Sequence, residues 1–188
     1  MNAELLEWSA AALSIGGVWL MTRRRLIGWP VGLASVVLYG LVFYQARLYS
    51  DTLLQVIFGG FLVYGWNSWR HSAQADGQVT IVPLPGRHVV RDLAVGVTGG
   101  LLLGAGMHTL TDAAIPWLDA LLAALSLVAQ WWQARRHVAT WWLWIVVDVI
   151  YIGVYLHKDL HVTAALYLVF IGLAALGLRR WSTARHAR

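Results

Sequence analysis

Residues 139–157 read ATWWLWIVVDVIYIGVYLH, an apolar run whose one carboxylate is Asp148. A helix crossing a bilayer needs about 20 mostly apolar residues, and this run supplies them. Trp141, Trp144, Asp148, Tyr151 and Tyr155 recur at spacings of three and four, so they share one helical face. A charged side chain at mid-bilayer costs about 2.5–3.5 kcal/mol on insertion scales, so something must offset it. A hydrogen bond to a neighbouring helix, with Asp148 protonated, is the structural reading, and a proton relay is another. The functional reading is a counter-ion for a cationic substrate, inside an aromatic face that adds cation–π attraction.

The flanks on both sides share this character. Apolar residues make up 59% of the chain and charged residues 12%, against roughly 45–50% and 25% in soluble domains. Seven segments have the length of a span: about 5–21, 26–46, 52–70, 92–110, 117–134, 139–157 and 160–178. The long polar connection is His71 to Arg91, and the tail from Ser182 to Arg188 is polar and expected to be mobile. The first apolar run begins at Leu5 without a basic leader, so it does not read as a cleaved signal peptide. The chain has no cysteine, which excludes disulfides and thiolate metal sites.

The net charge of +5 does not indicate a nucleic-acid partner, because the basic residues sit in short clusters between apolar runs. Arg23, Arg24, Arg25, Arg70, Arg87, Arg91, Arg135, Arg136, Arg179, Arg180, Arg185 and Arg188 fall on one side; Arg47 and Lys158 fall on the other. Cytoplasmic loops carry the Lys/Arg excess, so the C-terminus is expected in the cytoplasm and the N-terminus outside.

The chain also repeats itself at an offset of 112 residues, without a gap, over three helices. Ser14 falls on Ser126, Trp19 on Trp131, Trp29 on Trp141, Tyr39 on Tyr151, Gly65 on Gly177 and Trp69 on Trp181. Adjacent three-helix copies would be inverted, and one helix between them restores the orientation. The expected fold is therefore an all-α integral membrane protein of seven transmembrane helices in a 3+1+3 plan of parallel repeats, a SWEET-like arrangement. It forms a single transmembrane domain: first repeat 5–70, cytoplasmic loop 71–91, connector helix 92–110 and second repeat 117–181.

Helix two carries the face equivalent to that of Asp148, with Trp29, Gly32, Val36, Tyr39 and Phe43. It keeps the aromatics and loses the carboxylate, which suggests one substrate site rather than two. Gln55 on helix three and Ser126, Gln130 and Gln133 on helix five are further polar groups within the spans. Such groups also serve simply as links between helices, at about 0.6 kcal/mol each. Trp8, Trp66, Trp69, Trp117 and Trp181 lie near helix ends, where anchoring at the membrane interface is the expected role for most of them. Helix four, with Gly96, Gly99, Gly100, Gly104 and Gly106, reads as a connector without chemistry.

Sharper alternatives lack their residues. A retinal protein needs a lysine in its last helix, and the one lysine, Lys158, is in a loop. There is no HExxH, GxSxG or P-loop pattern. His157 and His161 have a metal-compatible spacing, but a histidine pair at a loop more often faces water. No catalytic residue, metal or cofactor is expected.

The run Tyr39 to Trp69, YGLVFYQARLYSDTLLQVIFGGFLVYGWNSW, resembles the PnuC family of vitamin transporters, in which FYxxxLY, LLQ and YGWxxW stretches recur. The second half, TWWLWIVVDVIYIGVY followed by TAALY, resembles it too. The resemblance covers essentially the whole chain. It implies uptake of nicotinamide riboside across a bacterial inner membrane by facilitated diffusion, with a cytoplasmic kinase trapping the product without required contact. It also implies the 3+1+3 fold and assigns Gln55, Trp141, Trp144 and position 148 to the binding region. The resemblance is imperfect at one point. Members that carry nicotinamide riboside typically have tryptophan, three residues and then asparagine, whereas Trp144 is followed at that spacing by Asp148. Thiamine, carried by related members, is the alternative, since a carboxylate can accept two hydrogen bonds from an aminopyrimidine. The expected substrate-binding set is Asp148, Trp141, Trp144, Tyr151, Tyr155, Gln55, Trp29, Tyr39, Ser126 and Gln130. The expected partners are the small-molecule vitamin and the lipid bilayer, and self-association is compatible with this plan. A membrane scaffold or receptor that transports nothing is the distant alternative; it would need no polar groups at mid-membrane.

Overall fold

The computed structural model describes residues 3–45, 49–76, 79–110, 115–157, 159 and 161–186. They form seven helices: α1 (Ala3–Thr22), α2 (Gly28–Gln45), α3 (Tyr49–Asp76), α4 (Gly86–Leu110), α5 (Pro116–Ala134), α6 (Ala139–His157) and α7 (His161–His186). Among the described residues there is no strand. Five helices, α1, α2, α4, α6 and α7, are long and apolar enough to cross a membrane. The other two, α3 and α5, do not qualify. In α5, Ser126, Gln130 and Gln133 are buried, so they lower its hydropathy without meeting lipid.

Consecutive helices pack on one another except α3 and α4, and α1 against α7 and α3 against α5 tie the two halves together. Helix α4 packs on α5 alone. The seam between them is made by Gly96, Gly100 and Gly104, one turn apart. A Cβ on these glycines would meet Val128, Leu121 and Trp117 respectively.

Two expectations about the ends of helices are corrected. The polar connection is shorter than 71–91, because α3 continues to Asp76 and α4 begins at Gly86. The tail is helical to His186, so residues 182–186 are not a loose end. Residues 79–82 are strapped across the base of the bundle. Val79 is buried, and its carbonyl accepts a hydrogen bond from Arg24 Nη1 at 3.0 Å. Val82 N donates to the Arg136 carbonyl at 3.1 Å, and His137 Nδ1 donates to the Val82 carbonyl at 2.9 Å. Arg24 and Arg136 have φ of 56° and 67°, the left-handed region that ends helices. This conformation costs an arginine about 1–2 kcal/mol. Tertiary contacts offset it, because both side chains reach the strap, Arg136 through Thr80 Oγ1. Arg47, Lys158 and Arg188, which entered the charge count, lie outside the described residues.

Many contacts recur at the 112-residue offset. Trp69 Nε1 donates to the Gln133 carbonyl at 3.1 Å, and Trp181 Nε1 to the Met21 carbonyl at 3.3 Å. Trp29 meets Trp69 edge to face at 5.1 Å between ring centroids, as Trp141 meets Trp181 at 5.2 Å. Trp69 and Trp181 touch at 5.5 Å, joining the pairs into one buried layer of four indoles. Trp69 and Trp181 are therefore core residues and not the interface anchors their positions near helix ends suggested. An indole at the bilayer surface keeps its N–H in the wet headgroup zone, whereas these N–H groups are bound to buried carbonyls.

Candidate functional site

Over this tryptophan layer lies a cavity of about 360 Å³, within the usual range for small-molecule sites. Six helices enclose it; α4 contributes nothing. The predicted face of α6 supplies Trp141, Trp144, Asp148, Tyr151 and Tyr155. Gln55 comes from α3, and Ser126 and Gln130 from α5, so eight of the ten predicted residues line one space. Trp29 and Tyr39 are the corrections, because neither lines the cavity. Trp29 is turned into the tryptophan layer, with its ring on Gly65. Tyr39 stacks on Phe43 at 5.9 Å, and it is Phe43 that reaches the cavity.

Asp148 is 4% exposed, and no basic side chain shares the lining. Among the described residues no cation is paired with it. The aromatic wall around it is more extensive than the α6 face alone. Tyr151, Tyr155 and Tyr167 form a triangle with centroids 5.7, 5.1 and 5.0 Å apart, and Phe170 meets Tyr167 edge to face.

Among the described residues two buried donors in the lining are without a hydrogen-bond partner, Gln130 Nε2 and Trp141 Nε1. A buried donor left unmade costs about 1–3 kcal/mol, so a ligand bearing acceptors gains by meeting them. Gln133, one turn on, is already committed. Its Oε1 accepts from Trp144 Nε1 at 3.0 Å, and its Nε2 donates to Met21 Sδ at 2.6 Å. Gln133 and Tyr167 are, with Ser14, the polar members of the lining that the predicted set omits. Both carried a signal, since Gln133 lies three residues after Gln130 and Tyr167 is the register partner of Gln55.

Among the described residues no group of three or more metal-ligating side chains comes together. His157 and His161 are exposed, and His161 lies 4.0 Å from the exposed Asp159. On helix α4, Asp92 accepts a hydrogen bond from Trp132 Nε1 at 2.9 Å, and neither residue lines the cavity.

An all-helical bundle with several membrane-spanning helices, enclosing one aromatic cavity with a single buried carboxylate, is the architecture of a membrane carrier for a small organic solute. Residues 4–183 match the family described as nicotinamide mononucleotide transporter, and the chain belongs to that family, the PnuC type. It is accordingly a multi-pass transporter of the bacterial inner membrane. It is 28% identical over 211 residues to the nicotinamide riboside transporter PnuC of Escherichia coli, covering 97% of this chain and 88% of that protein. It is 27% identical over 172 residues to the riboflavin/roseoflavin transporter RibM of Streptomyces davaonensis, covering 85% and 76%. Its fold matches a crystal structure of the vitamin B3 transporter PnuC with a TM-score of 0.79 at 24% identity, over 97% of this chain and 83% of that one.

Proposed function

We propose that this chain is a facilitative carrier that takes up nicotinamide riboside, which a cytoplasmic kinase then traps by phosphorylation. The observation that carries the reading is Asp148, a lone buried carboxylate facing an aromatic cavity without a basic residue in its lining. A pyridinium cation is flat, stacks on Trp144 and the tyrosine wall, and neutralises the carboxylate. The unpartnered donors Gln130 Nε2 and Trp141 Nε1 suit the carboxamide and hydroxyl oxygens of such a ligand. A phosphomonoester carries about −1.5 to −2 charge at neutral pH and would meet Asp148 with no arginine or lysine to receive it. The unphosphorylated nucleoside is therefore the better substrate, despite the mononucleotide in the family's description. No second carboxylate lines the cavity for a proton or sodium site, which favours facilitated diffusion over ion coupling.

The membrane arrangement proposed with this function has all seven helices crossing, the N-terminus outside, the C-terminus in the cytoplasm, and residues 5–70 and 117–181 as parallel repeats. The contacts recurring at offset 112 support an axis along the membrane normal between Trp69 and Trp181. The charge bias of the loops supports the orientation.

Thiamine is the second reading, because Asp148 stands where nicotinamide riboside carriers typically have asparagine. The likeness to RibM adds riboflavin as a ligand to test. Calorimetric titration of the purified protein with nicotinamide riboside, thiamine, riboflavin and nicotinamide mononucleotide separates them. Nicotinamide riboside should bind most tightly and the mononucleotide least. Heat from riboflavin or thiamine alone would replace the proposed substrate, and no binding of any of the four would favour a membrane module that carries nothing.

A further inference from the structure

Among the described residues no Cα of α3 comes within 8 Å of one in α4, although both helices pack on α5. Between them lies a slot of about 320 Å³, floored by Leu127, Val128 and Trp131 and walled by Phe61, Val95 and Gly99. From Asp92 to Gly99 it runs two helical turns of α4, about 10 Å at 1.5 Å per residue. The walls are apolar, so an aqueous solute gains nothing there, whereas the surrounding bilayer supplies acyl chains.

The end of the slot at Asp92 and Trp131 is cationic. Arg91 donates from Nε at 2.9 Å and Nη2 at 2.7 Å to Asp92 Oδ1, and Trp132 Nε1 occupies Oδ2. The carboxylate is thus already neutralised, while the Arg91 side chain stays 62% exposed. The Arg135 guanidinium lies over the Trp131 ring at 5.0 Å, and Arg87 precedes Arg91 by one turn. Three arginines against one carboxylate leave the mouth of an acyl-sized slot positive. Basic pockets between membrane helices of this kind receive anionic lipid headgroups.

We propose that the slot between α3 and α4 binds one anionic phospholipid, an acyl chain lying on α5 and the phosphate against Arg91 and Arg135. The site is separate from the central cavity and shares no residue with it. The lipid fills the gap between α4 and α3, and so links the connector helix to the first repeat.

Native mass spectrometry of the full chain in detergent tests this, with phosphatidylglycerol, phosphatidylethanolamine and phosphatidylcholine of one acyl composition. One phosphatidylglycerol should be retained in preference to the other two. Arg91→Gln and Arg135→Gln should each weaken its retention by about fivefold. Gly99→Leu should abolish retention of all three lipids by filling the slot, since a Cβ there meets nothing within 4 Å. The same variant should leave calorimetric binding of vitamin intact, which excludes misfolding as the cause. Equal retention of the three lipids, retention unchanged by Arg135→Gln or Gly99→Leu, or an oligomer that buries the slot without lipid would each overturn the proposal.

Discussion

The indole of Trp144 donates a 3.0 Å hydrogen bond to Oε1 of Gln133, whose own carbonyl accepts the Nε1 proton of Trp69. One residue of α5 therefore holds a wall of the cavity with its side chain and the tryptophan layer with its backbone. Gln133→Leu removes only the first of these. It leaves the Trp144 N–H without its partner, removes the donor to Met21 Sδ, and frees the indole to tilt. The expected result is a rise in KM for vitamin uptake of about three- to tenfold, the worth of one buried hydrogen bond, with the fold retained. Uptake kinetics in proteoliposomes beside a thermal melt would check it; a collapse of the melt would make Gln133 a structural residue alone.

Gly65 and Gly177 are register partners, and a Cβ on either would fall inside a tryptophan ring, Trp29 for the first and Trp141 for the second. Gly60 and Gly172 are register partners too, yet a Cβ on either meets nothing within 4 Å. Alanine at 65 or 177 should cost about 1–3 kcal/mol through overpacking, while alanine at 60 or 172 should be nearly neutral or stabilising. Melting temperatures of the four single variants give the answer, and equal effects at 65 and 60 would contradict the packing.

These glycines also mark what could be read in the sequence. The contacts that recur at offset 112 were foreshadowed because Trp29/Trp141, Trp69/Trp181 and Gly65/Gly177 keep residue identity at that offset. That Trp69 seals the core rather than anchoring at the interface was not legible, since it depends on the carbonyl of Gln133, distant in sequence. The α6 face was legible from its period, and all five of its residues line the cavity. Trp29 and Tyr39, placed by the same logic, do not line it. Periodicity gives a shared face, but it does not say which neighbour fills the space that face looks into. The order of the strap at 79–82 was not legible, because it comes from Arg24, Arg136 and His137, which lie in other turns.

His137 gives the strap a pH dependence. Burial is the main cause that lowers its pKa below 6.5, outweighing the hydrogen bond to the Val82 carbonyl, which raises it. The folded protein thus prefers the neutral ring. Its contribution to stability is complete above pH 6.5. As pH falls through that value the unfolded chain takes up the proton first, and stability declines until the folded pKa is passed. Melting temperature should fall between pH 7 and pH 5 more steeply in the wild type than in His137→Gln. Parallel curves would mean that the strap does not depend on this ring.

A tag at Arg188 should be accessible only from the cytoplasm, and one before Glu4 only from outside, if all seven helices cross. Helices α3 and α5 are the weak points, being too polar to qualify by composition. Reporter fusions in intact cells read the outcome directly. Both ends on the same side would mean an even number of crossings.

Asp148→Asn keeps the shape of the side chain and removes its charge. If the carboxylate is the counter-ion, a cationic ligand should lose about 1–3 kcal/mol of binding, the worth of a hydrogen bond to a charged group. Thiamine should lose most, because asparagine cannot accept from an aminopyrimidine at both terminal atoms as a carboxylate does. Nicotinamide riboside gains in return the asparagine typical of its carriers, so its loss should be smaller or reversed. Riboflavin, which is neutral, should bind the variant and the wild type alike. Calorimetry on the two proteins with three ligands therefore yields a pattern and not a single number. If thiamine and nicotinamide riboside both bind the variant as tightly as the wild type, Asp148 serves the packing of α6 and not the substrate. The cavity would then have to recognise its ligand through the tyrosine wall, Trp144 and the donors of Gln130 and Trp141 alone.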